Sequence, residues 1–396
     1  MHIGIDYTAA AWQGAGIGRY TRELIRAVVA QGSTYRYSLF YAAGGIGSEN
    51  PYISDLRQLC ETYPYVRAVP IPISPRRLTQ LWQRARLPIP IELFTGQLDL
   101  LHAPDFVLPP TRARTLVTIH DLSFLLYPQF AAPGMVRYLS SAVPRSVRRA
   151  NGVLADSKAT RNDLIRLLDT DPARIEVVYP GVDARFRPLP HSETAPIRQK
   201  LALPERFLLF ISTLEPRKNL VRQLEAFSQL IHPHDSETTA PLNDLKFVIG
   251  GRRGWLYDEI FATIERLQLR PHLHLLDFVD DNDLPALYNL AWAFTYPSIY
   301  EGFGLPALEA LACGTPVLTA GNSSLPEVVG DTAVIVDASD TAAIYDGMRR
   351  ICTDMALRTR LQANGPLRAR QFSWQQAGER ILAQYRRLIL EPSRRV

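Results

Sequence analysis

The stretch AFTYPSIYEGFGLPALEALACGTPVLT, residues 293–319, reads as one strand–loop–helix–strand unit. Residues 293–296 form a short continuous apolar run, as expected of a strand buried on both faces. Pro297, Gly302 and Gly304 then enforce a loop. Pro306 suits the first turn of a helix, where its missing N–H is not needed, and Gly314 and Pro316 end that helix before the next apolar run at residues 316–319. Two strands joined in this way lie parallel in one sheet.

The same alternation runs outward in both directions. Apolar runs at residues 3–6, 37–41, 98–102, 115–120, 153–156 and 175–179 alternate with longer amphipathic segments. The pattern restarts at residues 207–212, 246–250, 273–276, 293–296, 316–319 and 333–336, with helical segments at 220–231, 257–267, 284–290 and 306–313. Two such series predict an α/β protein of two Rossmann-like, doubly wound parallel-sheet domains, each with helices on both faces. RFRPLPHSETAP, residues 185–196, is rich in Pro and polar residues and reads as the linker. The expected domains are therefore residues 1–188 and 189–373, followed at 374–396 by a crossover helix and tail that can return to either domain. Ligands of such sheets bind beyond the carboxyl ends of the strands, so those ends hold the candidate residues.

The length of 396 residues is enough for two or three cores. The longest apolar stretch, residues 305–320, is interrupted by Pro306, Glu309, Gly314 and Pro316, which excludes a membrane span there. The start is not read as a signal peptide, because Asp6 interrupts it and no basic region precedes it. Cys60, Cys313 and Cys352 are far apart and show no metal-ligand spacing. These features fit a protein of the reducing cytoplasm that needs no metal. The net charge of +5 is uneven: residues 1–190 carry 22 basic and 15 acidic residues, the remainder 22 and 24. The basic excess of the first half suits a phosphorylated acceptor or an anionic membrane surface, or is solvated arginine with no partner.

QGAGIGRY, residues 13–20, invites a dinucleotide-binding reading, but the spacing fails. That fingerprint needs its first glycine at the strand end, whereas Gly14 lies well beyond Asp6 and the third glycine position is Arg19. Gly14, Gly16 and Gly18 form either an anion or sugar clamp, at which backbone N–H groups approach a ligand, or a simple turn into a helix beginning near Arg19.

In residues 296–317 the N–H groups around Phe303, Gly304 and Leu305 precede a helix, and their partial positive charge suits a phosphate. Glu301 precedes the helix start and Glu309 lies about one turn inside it, where a carboxylate can accept from a ribose diol or merely complement the helix dipole. FISTLEPRKNL, residues 210–220, places Arg217 and Lys218 after the first strand of the second domain. Two cations there can neutralise a departing diphosphate without a metal.

Taken together, GIGRYT (16–21), LHAPDFVLPP (101–110), VTIHDLSFLLYP (117–128), ADSKATRNDL (155–164), VVYPGVD (177–183), TLEPRKNL, the E-x₇-E pair Glu301/Glu309 and FSW (372–374) span almost the whole chain. In this set the sequence resembles the retaining, nucleotide-sugar-dependent glycosyltransferases of the GT-B fold, family 4, and particularly a bacterial mannosyltransferase-like branch. The resemblance implies two domains facing a deep cleft, the first binding the acceptor and the second the nucleotide-sugar, and transfer of a hexose, mannose from GDP-mannose, to a glycan or lipid-linked glycan in cell-surface polysaccharide synthesis. It implies that Glu301 contacts the transferred sugar and that Phe303, Gly304 and Leu305 present amides to that sugar and the distal phosphate. Glu309 then holds the ribose, Arg217 and Lys218 clamp the diphosphate, and Gly16 and Gly18 close over phosphates and acceptor. His120 lies at a strand end beside the reacting sugar, where it hydrogen-bonds a hydroxyl or helps to position the acceptor, or it is a mere loop histidine. Many relatives carry Gly-Arg where this chain has Ser212 and Thr213, so Arg217 replaces one expected cation.

Rival readings are a nucleotide-sugar epimerase or hydrolase of the same fold, and a noncatalytic sugar-nucleotide-binding regulator. A nucleic-acid binder is disfavoured by the absence of a basic stripe with interleaved aromatics. In PRRLTQLWQRARLP, residues 75–88, Leu78, Leu81, Trp82 and Ala85 fall at helical spacing among Arg76, Arg77, Arg84 and Arg86. This helix lies peripherally on the inner face of an anionic membrane, or simply packs on the first domain.

Overall fold

A computed structural model of the chain describes residues 1–14, 16–47, 49–232, 242 and 244–390. Ala15 of the glycine loop and the tail at 391–396 lie outside the described residues. The chain packs as two compact units. The first comprises Met1–Leu122, Arg137–Gly181 and the stretch from Ser373 onward; the second comprises Ser123–Val136 and Val182–Phe372. By packing, then, the chain passes between units at Gly181, earlier than residue 188, and nothing in the sequence sets residues 123–136 apart.

The first unit is built on seven parallel strands: β1 (His2–Asp6), β2 (Arg36–Ala42), β3 (Val66–Ile71), β4 (Leu100–Ala103), β5 (Arg114–Ile119), β6 (Gly152–Ala155) and β7 (Ile175–Val177). Their spatial order is β3-β2-β1-β4-β5-β6-β7. The second unit has six, β8 (Phe207–Ile211), β9 (Lys246–Gly250), β10 (Leu273–Leu276), β11 (Ala293–Tyr296), β12 (Val317–Ala320) and β13 (Val334–Val336), in the order β10-β9-β8-β11-β12-β13. All the strand pairings are parallel, as connection through helices requires. The central strands are mostly apolar because helices cover both faces: Ile3, Leu39, Leu100 and Val117 in one sheet, and Leu208, Phe247 and Phe294 in the other, are fully buried. In each sheet the strand order reverses direction once, at β1/β4 and at β8/β11. Ligand crevices of doubly wound sheets form at such switch points.

Several local features depart from expectation. Strand β3, VRAVPI, has no clear signature in the sequence, because it is an edge strand with half of its residues exposed and contains Pro70, tolerable only where a ladder N–H is dispensable. Residues 185–196 are not an open linker throughout, since a helix covers His191–Lys200 with Pro190 preceding it. A short helix, Thr8–Trp12, follows β1 and explains why the glycine loop starts so late. The next helix then begins at Ile17, ahead of Arg19.

The C-terminal helix Trp374–Leu390 returns to the first unit. Gly378 lets it approach the helix Ile17–Gln31 closely, since a Cβ there would stand 3.0 Å from Ala27 backbone atoms. The Tyr385 hydroxyl lies 2.8 Å from Nδ1 of His102 on β4. The segment expected as one amphipathic helix is instead a single α-turn, Pro75–Leu78, followed by a wider π-turn, Thr79–Arg84. Among the described residues no helix is long and apolar enough to cross a membrane.

Candidate active-site residues

In the second unit, β8 leads into the turn Pro216–Lys218, and the neighbouring β11 leads into the loop carrying Glu301. The structure brings Arg217, Lys218 and Glu301 together. Lys218 Nζ donates to Glu301 Oε1 at 2.7 Å, to Oε2 at 3.0 Å and to the Tyr296 hydroxyl at 2.9 Å. Arg217 donates from Nη1 to Glu301 Oε2 at 3.1 Å and to the Tyr300 carbonyl at 2.6 Å, and from Nη2 to Glu215 Oε1 at 2.6 Å. Each cation is thus matched by a carboxylate, so the pair does not stand as surplus positive charge. Burial alone would push the Glu301 carboxyl up, but Lys218 and Arg217 outweigh it and hold it at about 2. Burial likewise pulls Lys218 down, and Glu301 reverses that, leaving it above its ordinary value.

The loop after β11 is pinned on both sides. The Asn219 amide donates to the carbonyls of Pro297 and Ala338 at 2.9 and 2.8 Å. Ser324 Oγ lies 2.9 and 2.8 Å from the carbonyls of Glu301 and Phe303, which share its one proton. Gly304 caps the helix Leu305–Ala312 with φ of 108°, a conformation that disfavours any side chain, and a Cβ there would stand 2.9 Å from Leu325. The Gly304 and Leu305 amides donate to no group among the described residues. Phe303 is buried, its ring edge-on to Phe372 at 5.7 Å and 68°. Glu309 is buried within the helix and its Oε2 accepts from the Tyr288 hydroxyl at 3.2 Å.

In the first unit His120 follows β5 and is buried. Its Nδ1 lies 2.7 Å from Asp156 Oδ2, just past β6, and its Nε2 lies 2.9 Å from the Pro104 carbonyl. Both partners are acceptors, so both ring nitrogens must be donors and the ring is an imidazolium. Burial opposes this charge, but Asp156 wins and raises His120 to about 9. The expectation that His120 hydrogen-bonds a sugar hydroxyl meets a ring whose two nitrogens are already engaged. Tyr20 and Phe106 stand perpendicular to it, with centroids at 4.8 and 5.2 Å. Tyr20 belongs to the helix that starts after Gly16, so the glycine motif and His120 share one neighbourhood.

Gly18 is required there by space, because a Cβ would fall 2.1 Å from the Gln13 carbonyl oxygen. Arg22 ties the loop down by donating to the carbonyls of Ala10, Gln13 and Gly14 at 2.7–2.8 Å. Glu215, Tyr296 and Asp156 lie within the motifs quoted above, yet nothing in their spacing reveals which groups they pair with. For Asp156 one signal exists: it stands at a strand end, beside the strand that carries His120.

Two family models match the chain: "Glycosyltransferase Family 4" over residues 14–186 and "Glycosyl transferases group 1" over residues 193–368. The chain is similar to O-antigen chain mannosyltransferase B of Escherichia coli, 32% identical over 378 residues that cover 94% of this chain and 96% of the relative. Among solved structures it is similar to sucrose-phosphate synthase from Thermosynechococcus elongatus, with a TM-score of 0.73, 20% identity and coverage of 98% and 99% of the two chains. It is likewise similar to HepE of Anabaena in complex with UDP and glucose, with a TM-score of 0.72, 19% identity and coverage of 97% and 99%. The two sheets and these structural likenesses establish the GT-B fold. The chain belongs to glycosyltransferase family 4 and is a hexosyltransferase.

Proposed function

We propose that the chain transfers a mannosyl group from GDP-mannose, with retention at the anomeric carbon, to a glycan or lipid-linked glycan during cell-surface polysaccharide synthesis. One observation carries this reading: the Glu301 carboxylate, the Arg217 and Lys218 cations and the unengaged Gly304 and Leu305 amides are held together at the β8/β11 switch point. When donor binds, sugar hydroxyls donate to Glu301, while the diphosphate draws on the cations and the helix-tip amides. Glu309 accepts from the ribose. The mannosyl choice follows the relative named above, and HepE, crystallised with UDP, makes the nucleotide a point to test.

In the transfer, the bond from the anomeric carbon to the diphosphate oxygen breaks. The acceptor oxygen bonds to that carbon on the same face, and its proton passes to the departing phosphate. A two-displacement route needs a carboxylate free to attack from beneath. Glu301, with both oxygens held by Lys218 and Arg217, is poorly suited to that, which supports the same-face route. Stabilisation of the leaving group is assigned to direct hydrogen bonds from Arg217, Lys218 and the helix-tip amides, so EDTA should leave turnover unchanged.

Mass-spectrometric screening of GDP-mannose, UDP-glucose and UDP-N-acetylglucosamine against a polyprenyl-linked glycan pool tests the donor. GDP-mannose alone should be consumed with extension of the acceptor. Anomer-resolved NMR of that product should show the donor's configuration, and an inverted linkage would refute the mechanism. Glu309→Ala should raise the donor KM roughly 10–100-fold with a smaller change in kcat, as expected for hydrogen bonds lost from a charged acceptor. Peripheral membrane contact is assigned to Arg76, Arg77, Arg84 and Arg86, all exposed. The chain should cosediment with anionic and not with zwitterionic vesicles; no sedimentation with either at low salt would end that assignment.

A further inference from the structure

The first unit contains a pocket of about 280 Å³ that none of the roles above uses. It lies at the other switch point, where Asp6 ends β1 and Asp105 follows β4. Two tryptophans from different segments contribute to its lining. Trp12 is 40% exposed, yet its ring is fixed because Nε1 donates to the Ala42 carbonyl at 2.8 Å. Trp82 comes from the π-turn, a geometry that recurs at functional sites, and is half-buried in the pocket wall. The backbone is also strained here, since Phe106 adopts a φ of 56°.

The polar lining is all neutral or acidic. Asp6 Oδ1 accepts from the Thr8 amide at 2.8 Å, while the Asp105 carboxylate accepts no hydrogen bond among the described residues. Gln13 and Tyr138 add further polar groups, and no Lys or Arg is among the described residues that line the pocket. Burial pushes Asp6 up to about 6 against the pull of the Thr8 hydrogen bonds, with a smaller push from Asp105.

Aromatic walls with carboxylates that accept from hydroxyls suit a polyol with apolar ring faces, and two carboxylates in a lining without lysine or arginine disfavour an anion, since the imidazolium of His120, whose field reaches Asp105, is already paired with Asp156. We infer that this pocket is the subsite for an uncharged terminal pyranose of the acceptor glycan, and that Asp6 and Asp105 discriminate against a phosphorylated acceptor. This rests on the transferase reading above and adds the chemical class of its acceptor. It also resolves the two partners suggested by the basic first half of the chain: that charge does not line this pocket.

The test compares a neutral mannose-ended disaccharide glycoside with its terminal 6-phosphate as acceptors for the full chain at saturating donor. The neutral acceptor should be preferred at least tenfold in kcat/KM. Asp6→Asn and Asp105→Asn should each raise the neutral acceptor's KM tenfold or more, mainly through KM, and narrow the discrimination against the phosphate ester. Trp82→Ala should raise that KM similarly, with recovery in Trp82→Phe, which keeps the inference testable should an aspartate variant fail to fold. Preference for the phosphorylated acceptor, or acceptor KM values within twofold of wild type in all three variants, would overturn the subsite. Donor titration of the wild-type chain without acceptor separates the two ideas: no nucleotide-sugar binding at all sinks the transferase reading, whereas donor binding with an unchanged acceptor profile sinks only the subsite.

Discussion

Lys218→Met is expected to lower turnover at least ~100-fold, the scale seen when one preorganised donor to developing charge is removed. The same change should destabilise the fold by about 3–5 kcal/mol, because it strips a buried carboxylate of its main partner. Glu301 is 6% exposed and Lys218 7%, so water cannot replace the lost ammonium. Arg217 stays within 3.1 Å of Glu301 but is shared with Glu215, which keeps the site from rescuing itself. The paired variant Lys218→Met, Glu301→Gln should recover much of the stability, since a neutral amide no longer needs a cation, while turnover stays low. Chemical denaturation with single-turnover kinetics on the same preparations separates the two effects. A Lys218→Met enzyme that keeps a tenth of its rate would remove this lysine from the diphosphate clamp, whatever its stability.

Most of this geometry is legible in the sequence because both sheets are covered on each face. Strands such as β8 and β11 appear as uninterrupted apolar runs, and the residues that follow them fall at adjacent strand ends. That logic puts Arg217, Lys218 and Glu301 at carboxyl strand ends of one sheet, and the structure adds that β8 and β11 are neighbours. It does not reveal that Glu215 neutralises Arg217, because a glutamate two residues before an arginine has many solvated alternatives. Edge strand β3 is illegible since only one side of its ladder is satisfied and half of its residues are exposed. The π-turn is hidden for a different reason. The Ala85 amide reaches the Gln80 carbonyl five residues back, and the Leu87 amide reaches Leu81 six back, so residues spaced for an α-helix leave the common face. Leu78 and Trp82 consequently line a pocket instead of forming one stripe with Leu81 and Ala85.

The stability of the first unit should fall as pH rises from about 6.5 to about 9, and Asp156→Asn should abolish that part of the profile. The sign follows from His120, whose folded value of about 9 exceeds the ordinary 6.5. A proton held more tightly in the folded chain stabilises it fully below pH 6.5, and that contribution is lost as pH climbs through 9. The difference between 6.5 and about 9 corresponds to roughly 3 kcal/mol at most. Burial raises the Asp156 carboxyl as well, so keeping that group ionised costs some of the gain. This offset is nearly constant across the window and leaves the slope to the histidine. With Asn at 156, Nδ1 faces an amide, the imidazolium loses its counter-charge and His120 titrates at a lower pH, so the variant's stability above pH 7 should be flatter than that of the wild type. Subtracting the two profiles removes the contributions of other titrating groups. If the difference were flat from pH 6.5 to 9, His120 would be neutral, one of its nitrogens could not donate, and a ring nitrogen would again be available to a sugar hydroxyl.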